Sequence, residues 1–326
     1  RHGLRGDGIV GAQTRAALAV PVAQRIVQIR LNLERWRWLP RELGSRYITV
    51  NTAAFELRVH DQDAVPLSMR VIVGKTAHPT PVFSEKMRYL IVNPYWHVPS
   101  RVAIRDLIPK QLRQPDFFRS RAIRVLSGWQ PDAAEVDPQQ VDWRRFLDSE
   151  HLPYKLIQDP GPGNALGRIK FMLPNIHSIY LHDTPAKHLF EKPVRAFSAG
   201  CIRVEKPMAL ARYVLGLERS AAPSMLEALV EQPDTRTIVL QEPIPVYVWY
   251  QTAWVDGAGT LQFRDDIYGH DERLAAALHR ELAPQRGGSY AGDLTVQLPD
   301  AFSHLSLIHI SEPTRPELVS RMPSSA

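Results

Sequence analysis

Short runs of β-branched and aromatic residues, each bounded by turn formers, restrict this chain's fold more than any other feature. Tyr47–Asn51, Phe55–His60, Ser68–Val73 and Tyr89–Val92 follow one another in this way. Arg168–Met172, Ser178–Leu181 and Cys201–Val204 continue the series. Thr237–Leu240 and Val246–Thr252 return to it, ahead of a hairpin over Val255–Phe263 whose turn is Asp256-Gly257-Ala258-Gly259. The pattern predicts a largely antiparallel sheet. A hydrophobic content of 44% is ample to cover it, and no run of about 18 apolar residues suggests a membrane span.

Helical spacing is confined to a few places. Val22, Ile26, Ile29, Leu33 and Trp36 recur at intervals of four, three, four and three after Pro21. They predict a helix that turns this stripe inward and braces the sheet, leaving Arg25, Arg30, Arg35 and Arg37 in solvent. Lys206–Glu218 predicts a second helix with Ala209, Leu210, Tyr213, Val214 and Leu217 facing the core. Between residues 97 and 155 sheet periodicity is absent: Val102–Leu112 and Asp116–Arg121 suggest helix, followed by Trp129, Trp143 and several prolines. A segment this long between strands is more often a functional cover than a passive connector.

The 326 residues carry a formal charge of +6, which suits an anionic partner. Lys and Arg are scattered without a basic run or an aromatic-rich RNA-type motif, so nucleic acid is not expected. One cysteine excludes an intramolecular disulfide, and no Cys/His cluster has metal spacing, so neither metal nor cofactor is expected. His2, His60, His78, His151 and His177 are isolated and suggest surface or packing roles.

The lone cysteine lies in Phe197-Ser198-Ala199-Gly200-Cys201-Ile202-Arg203-Val204. By itself it suggests a small buried hydrophobe. Alternation, however, sends Ile202 and Val204 to one face and Cys201 and Arg203 to the other. Upstream, Ser178-Ile179-Tyr180-Leu181-His182-Asp183 sorts Tyr180 and His182 in the same way. A thiol, an imidazole base and a nearby cation are what a cysteine nucleophile requires.

Tyr180-Leu181-His182-Asp183-Thr184-Pro185 and Arg195 through Val204 together resemble the catalytic signature of the L,D-transpeptidases with the YkuD-type fold, and in particular the large periplasmic Gram-negative type, the YcbB-like branch. Val73-Gly74-Lys75 with Thr80-Pro81, Asn93-Pro94-Tyr95-Trp96-His97-Val98-Pro99, and Asn164 through Phe171 resemble further blocks of that family. The resemblance implies a mainly β protein with α elements, a β-sandwich carrying an inserted helical and loop capping subdomain. It extends over about residues 45 to 275. The expected organisation is a remnant of a peptidoglycan-binding repeat at 1–20, a bracing helix and linker at 21–44, a catalytic domain at 45–278 with its cap at 99–153, and a tail at 279–326. In that tail, Leu305 through Arg315 resembles a translated sequencing adapter and is excluded from fold reasoning.

By the same resemblance, Cys201 attacks the carbonyl between meso-diaminopimelate and D-alanine of a tetrapeptide stem, and His182 serves as base and then acid. The thioester passes to a second diaminopimelate amine, forming a 3-3 cross-link, or to water. Gly200 and Cys201 N–H, with help from Tyr180, are the oxyanion candidates. Ser198, Trp96 and Asn164 are the substrate-groove candidates. Arg203 either docks a substrate carboxylate or holds the Cys loop, and Trp96 is equally consistent with core. Asp183 orients His182 through its carboxylate, or a backbone carbonyl does so. Ala199 replaces the His that many members carry, and Asp183 replaces Gly; His188 and His97 are rival bases. Donor and acceptor peptidoglycan stems are the expected partners, the periplasm the expected compartment, and a monomer the expected state. The absence of Met and of a signal-like start suggests a fragment. A cell-wall cysteine hydrolase and a non-catalytic wall-binding scaffold are the competing readings.

Overall fold

A computed structural model of the chain describes residues 1–4, 6–217 and 223–282. Nearly all of them belong to one compact unit, Arg1–Glu272, to which the following description applies. Two N-terminal helices, α1 (Ala12–Ala19) and α2 (Val22–Arg37), precede the strands β1 (Arg46–Asn51), β2 (Glu56–Asp61), β3 (Ala64–Gly74) and β4 (Phe83–Val92). The inserted region supplies β5 (Trp96–His97), β6 (Ile123–Leu126), β7 (Glu135–Val136) and β8 (Lys155–Gln158). Then come β9 (Ile169–Met172), β10 (Leu181–His182), β11 (Ala196–Ser198), β12 (Ile202–Val204), β13 (Arg236–Trp249), β14 (Ala253–Val255) and β15 (Leu261–Phe263).

The main sheet runs β11-β3-β12-β10-β9-β4-β13-β1-β2, and β2 also pairs with β3, so the sheet closes on itself. Closure is possible because β3 is eleven residues long. Its first part pairs with β2 (Leu57↔Met69), and its end pairs with β12 (Arg203↔Ile72) and β11 (Ser198↔Gly74). The pairings are largely antiparallel, as expected; β1–β13, β10–β12 and β3–β11 are parallel. Ile48, Val50, Leu57, Val71, Leu90, Phe171, Leu181, Ile202 and Val246 are fully buried inside. Each such aliphatic side chain contributes about 1.5–3 kcal/mol. Most predicted strands are present, but of Ser178–Leu181 only Leu181 lies in a strand, and Thr237–Leu240 and Val246–Thr252 merge into β13, which ends at Trp249 and has a register shift between Val239 and Ile244. Helix Pro207–Val214, shorter than the predicted Lys206–Glu218, buries Leu210, Tyr213 and Val214 as predicted and Ala211 besides, while Ala209 and Leu217 are only half-buried.

Two expectations are corrected. The inserted region is not only helix and loop: β5-β8-β6-β7 form a small sheet over a separate core that contains Ile108, Phe118, Val125, Trp143 and Leu156. Strands of two to four residues are too short to display a period. At its start, Ala103–Leu107 is π-helical, and Pro109, which has no N–H, follows directly. Helix α2, in turn, buries Leu31, Asn32 and Arg35, whereas Val22, Ile26, Leu33 and Trp36 are exposed. Polar bonds choose this face. Gln28 Nε2 donates to the Thr252 and Arg264 carbonyls, Asn32 bonds Thr252 through both amide atoms, and Arg35 pairs with Asp271 at 2.5 Å.

Helix α1 buries none of its residues. Positions 279–282 end the helix His270–Leu282, and the rest of the expected tail, including Leu305–Arg315, lies outside the described residues.

Candidate active site

Three strands set the site by register. On β10, Leu181 pairs with Ile202 of β12 and Phe171 of β9, and all three are core. The next residue, His182, therefore points to the opposite face, level with Arg203 on one side and Lys170 on the other. The result is a cross-strand row Lys170–His182–Arg203. One step back along the same face, Tyr180 O accepts from Ile202 N at 3.1 Å, which brings Tyr180 level with Cys201. Cys201 and His182 thus share a side of the sheet. The sequence reading did not single out Lys170, although the quoted block Asn164–Phe171 contained it; its place in the row depends on the β9–β10 register.

His182 is buried, and its ring Nδ1 lies 2.5 Å from the Asp183 carbonyl oxygen. A carbonyl can only accept, so Nδ1 carries the proton and Nε2 is left as the basic nitrogen. The Asp183 carboxylate is engaged elsewhere. It accepts from Arg168 N (2.9 Å) and Thr184 N (2.7 Å) and pairs with Lys187. Of the two proposed orienting groups, the backbone carbonyl is the one that meets the imidazole. Burial, followed by the charge of Arg203, holds the His182 pKa down to about 3, so the ring is neutral. Burial also raises the Cys201 pKa, against hydrogen bonding by Tyr180 and the charges of Lys170 and Arg203. The resting pair is a neutral thiol and a neutral imidazole. Among the described residues no hydrogen bond joins them; Sγ is 3.8 Å from Ser178 O.

The loop before Cys201 is tied from both sides. Gly200 has φ +125°, which excludes most side chains, and its N–H donates to Ser198 Oγ (3.1 Å). Ser198 Oγ in turn donates to Cys201 O at 2.5 Å. Thr80 Oγ1 donates to Gly200 O at 2.7 Å and accepts from Gly74 N at 2.9 Å, while Tyr268 OH donates to Gly74 O. Gly200 N–H is thus already used, which leaves Cys201 N–H, without a protein acceptor among the described residues, as the free donor of the two expected. Thr80 stood in a family block only as part of a turn and Tyr268 was not marked by the sequence, because their part is played through backbone oxygens far along the chain.

The remaining candidates separate. Asn164 is buried, and its amide donates to the Pro94, Gln158 and Asp159 carbonyls while accepting from Leu166 N. It is a loop anchor with no polar atom left for a ligand. Ser198 is likewise consumed within the Cys loop. Trp96 packs on the separate core of the insertion. Tyr180 lies beneath the Lys170 ammonium, 3.9 Å from ring centroid to Nζ, and its ring is 5.6 Å from that of His182. Burial raises its pKa, keeping the hydroxyl protonated as a donor. Among the described residues Arg203 makes no hydrogen bond or ion pair, and its buried Nε is unpartnered. The rival bases His97 and His188 are exposed. The insertion reaches this region through Arg105, which contacts His78 in the turn between β3 and β4. Two cavities, of about 780 and 380 Å³, are lined by neither Cys201 nor His182. Among the described residues no group of His, Cys, Asp and Glu could hold a metal ion.

Residues 45–248 match the profile of the YkuD L,D-transpeptidase catalytic domain. A curated protein of Haemophilus influenzae named "Putative L,D-transpeptidase" is 33% identical over 250 residues, which is 77% of this chain and 49% of that protein. The chain therefore spans about half the length of that relative. Among solved structures, an L,D-transpeptidase from Mycobacterium smegmatis is 12% identical over 63% of this chain and 58% of its own, with a TM-score of 0.28. The catalytic domain of the Enterococcus faecium L,D-transpeptidase is 12% identical over 64% of this chain and 100% of its own, also with a TM-score of 0.28. With the family profile covering most of the chain, including Cys201 and His182, the chain belongs to the YkuD family of L,D-transpeptidase catalytic domains.

Proposed function

We propose that the chain is the catalytic part of a peptidoglycan L,D-transpeptidase acting through a cysteinyl thioester. One observation carries this: the β10–β12 register holds a thiol and a neutral, backbone-anchored imidazole on one face of the sheet. His182 Nε2 takes the Cys201 proton as Sγ forms a bond to the carbonyl carbon of diaminopimelate at position three of a stem. The tetrahedral oxyanion is met by Cys201 N–H, with the Tyr180 hydroxyl nearby. As the C–N bond breaks, His182 returns the proton to the departing D-alanine amine. An amine of a second diaminopimelate then attacks the thioester, giving a 3-3 cross-link and regenerating the thiol.

The inserted region, anchored through Arg105 to the turn that ties down the Cys loop, serves as the cap that delays water. Water in place of the amine would make the same site a carboxypeptidase. The small residue at Ala199 and the long insertion favour the YcbB-like periplasmic branch, a peptidoglycan substrate suits that compartment, and a monomer is the state we propose. The test is intact mass after carbapenem treatment: one covalent adduct is expected, absent in Cys201→Ala. Incubation with a disaccharide-tetrapeptide should yield cross-linked dimers. No adduct and no dimer, with sacculi still bound, would favour a wall-binding scaffold instead; shortened peptides alone would favour a hydrolase.

A further inference from the structure

The cavity of about 380 Å³ lies between helix α2 and the end of β13, and neither Cys201 nor His182 lines it. Leu33 and Trp36, which α2 leaves exposed, line it from the helix, and Trp249 and Trp254 line it from the sheet. The rings of Trp36 and Trp249 meet at 5.4 Å with a tilt of 57°, so two indoles form a corner. Tyr250 is buried in the main core, and Trp249 and Gln251 on either side of it turn towards the cavity. Most polar residues here are already matched. Glu56 pairs with Arg58 at 3.0 Å, Thr49 Oγ1 bonds His60 Nε2 at 3.0 Å, the Asn51 amide bonds the Gln251 main chain twice, and Asn32 is held by Thr252. Two atoms are left over. Trp249 Nε1 and Gln251 Oε1 are buried without a hydrogen-bond partner among the described residues, and Gln251 is only 2% exposed. The first can only donate and the second only accept, and such buried groups are rare and costly in folded proteins.

We propose that this cavity is a saccharide-binding site that takes an uncharged pyranose unit of a glycan. A pyranose has apolar C–H faces that suit the indole corner, and ring substituents that both accept and donate hydrogen bonds. It can therefore accept from Trp249 Nε1–H and donate to Gln251 Oε1 while one face lies on Trp36. An aliphatic side chain from another polypeptide would cover the indoles and leave both polar atoms unmatched. A charged ligand would find no free counter-charge, because the two charged residues lining the cavity, Glu56 and Arg58, neutralise each other. An apolar, aromatic lining with a few placed polar atoms, in a volume within about 300–1,000 Å³, is the usual form of a small-ligand site. The site is separate from the Cys–His face and needs no part of the acyl-transfer reading.

The test uses the whole chain and two uncharged probes, cellotetraose and tetra-N-acetylchitotetraose, with binding read by calorimetry and by the indole N–H resonances in NMR. At least one probe should bind with a Kd of about 1 mM or tighter and shift the Trp36 and Trp249 signals. Trp36→Ala should weaken binding about tenfold or more, and Gln251→Leu about three- to tenfold. Trp129→Ala, at an exposed tryptophan of the insertion, should leave the affinity within about twofold. Gln251→Leu should also keep or raise the thermal midpoint, since it removes an unmatched buried acceptor. A lowered midpoint with unaltered binding would show that the amide serves the fold, and the proposal would fail. It would fail equally if neither probe bound at about 10 mM, or if Trp36→Ala and Gln251→Leu both bound as tightly as wild type; the indole corner would then be a docking face for another polypeptide segment. Trp36 is exposed, so its variant keeps the test sound should Gln251→Leu not fold. Carbapenem adduct formation should be the same in all variants. If wild type binds sugar but forms no adduct, the acyl-transfer reading falls and the saccharide site stands.

Discussion

His182 lies between two cations in the middle of the sheet, and its proton chemistry follows from that position. A buried imidazole flanked by Lys170 and Arg203 stays neutral at physiological pH, with a pKa near 3, and burial raises the Cys201 thiol above its ordinary value. A preformed thiolate–imidazolium pair, the usual route to a reactive cysteine, is thereby disfavoured. Proton transfer must instead accompany attack. Alkylation of Cys201 by iodoacetamide, which needs thiolate, should consequently be slow near pH 7 and rise with pH to a midpoint above the ordinary thiol value of 9.0. Lys170→Met should move that midpoint higher still, since it removes a charge that favours thiolate. A flat profile, or a midpoint at or below neutrality, would mean that an ion pair already exists in the resting enzyme. The roles of Cys201 and His182 could be inferred from residue type and alternation. Those of Lys170 and Thr80 could not, because one acts through a strand pairing and the other through a carbonyl 120 residues away.

At the scale of elements, helix α2 separates what hydrophobic spacing predicts from what polar pairing enforces. The stripe Val22, Ile26, Leu33 and Trp36 has the helical period, yet these side chains remain exposed. The buried face is held by Asn32, whose amide both donates to Thr252 Oγ1 (2.7 Å) and accepts from Thr252 N (2.9 Å), and by Arg35. A backbone N–H that would otherwise be buried without a partner costs about 1–3 kcal/mol, enough to set the helix rotation against a partly apolar stripe. Asn32→Ala should accordingly destabilise the fold by about 1–3 kcal/mol, whereas Val22→Ala should change it by less than about 0.5 kcal/mol. Chemical denaturation of the two variants checks this, and the reverse ranking would restore the apolar stripe as the packing face. Asp183 makes a similar point between β9 and β10. Its carboxylate receives Arg168 N, and Gly167, at φ +62°, leaves room where a Cβ would lie 2.3 Å from Asp183 Oδ2. The residue that departs from the commoner family pattern here is thus spent on holding a turn.

Across the whole unit, two hydrophobic cores divide the work: the closed sheet holds the Cys–His face, and the insertion has its own core around Phe118 and Trp143, whose rings meet edge to face at 5.2 Å. Trp143→Ala should cost about 3–5 kcal/mol locally. Hydrogen exchange should then quicken across residues 97–155 while β1, β4 and β13 stay protected, because no residue of the sheet core belongs to the second cluster. Loss of protection in both regions together would show one cooperative core. The sequence by itself determined that the chain forms a mainly β fold, which residues carry the thiol and the imidazole, and that a long segment interrupts the strands, since period and residue type are local properties. Tertiary structure alone decided that the sheet closes through β2 and β3, that Asp183 meets His182 through its carbonyl, that Gly200 N–H is already spent, and that Lys170 joins the catalytic row. Those outcomes depend on register between distant strands and on which buried polar groups find partners, and neither is written in the spacing of a single segment.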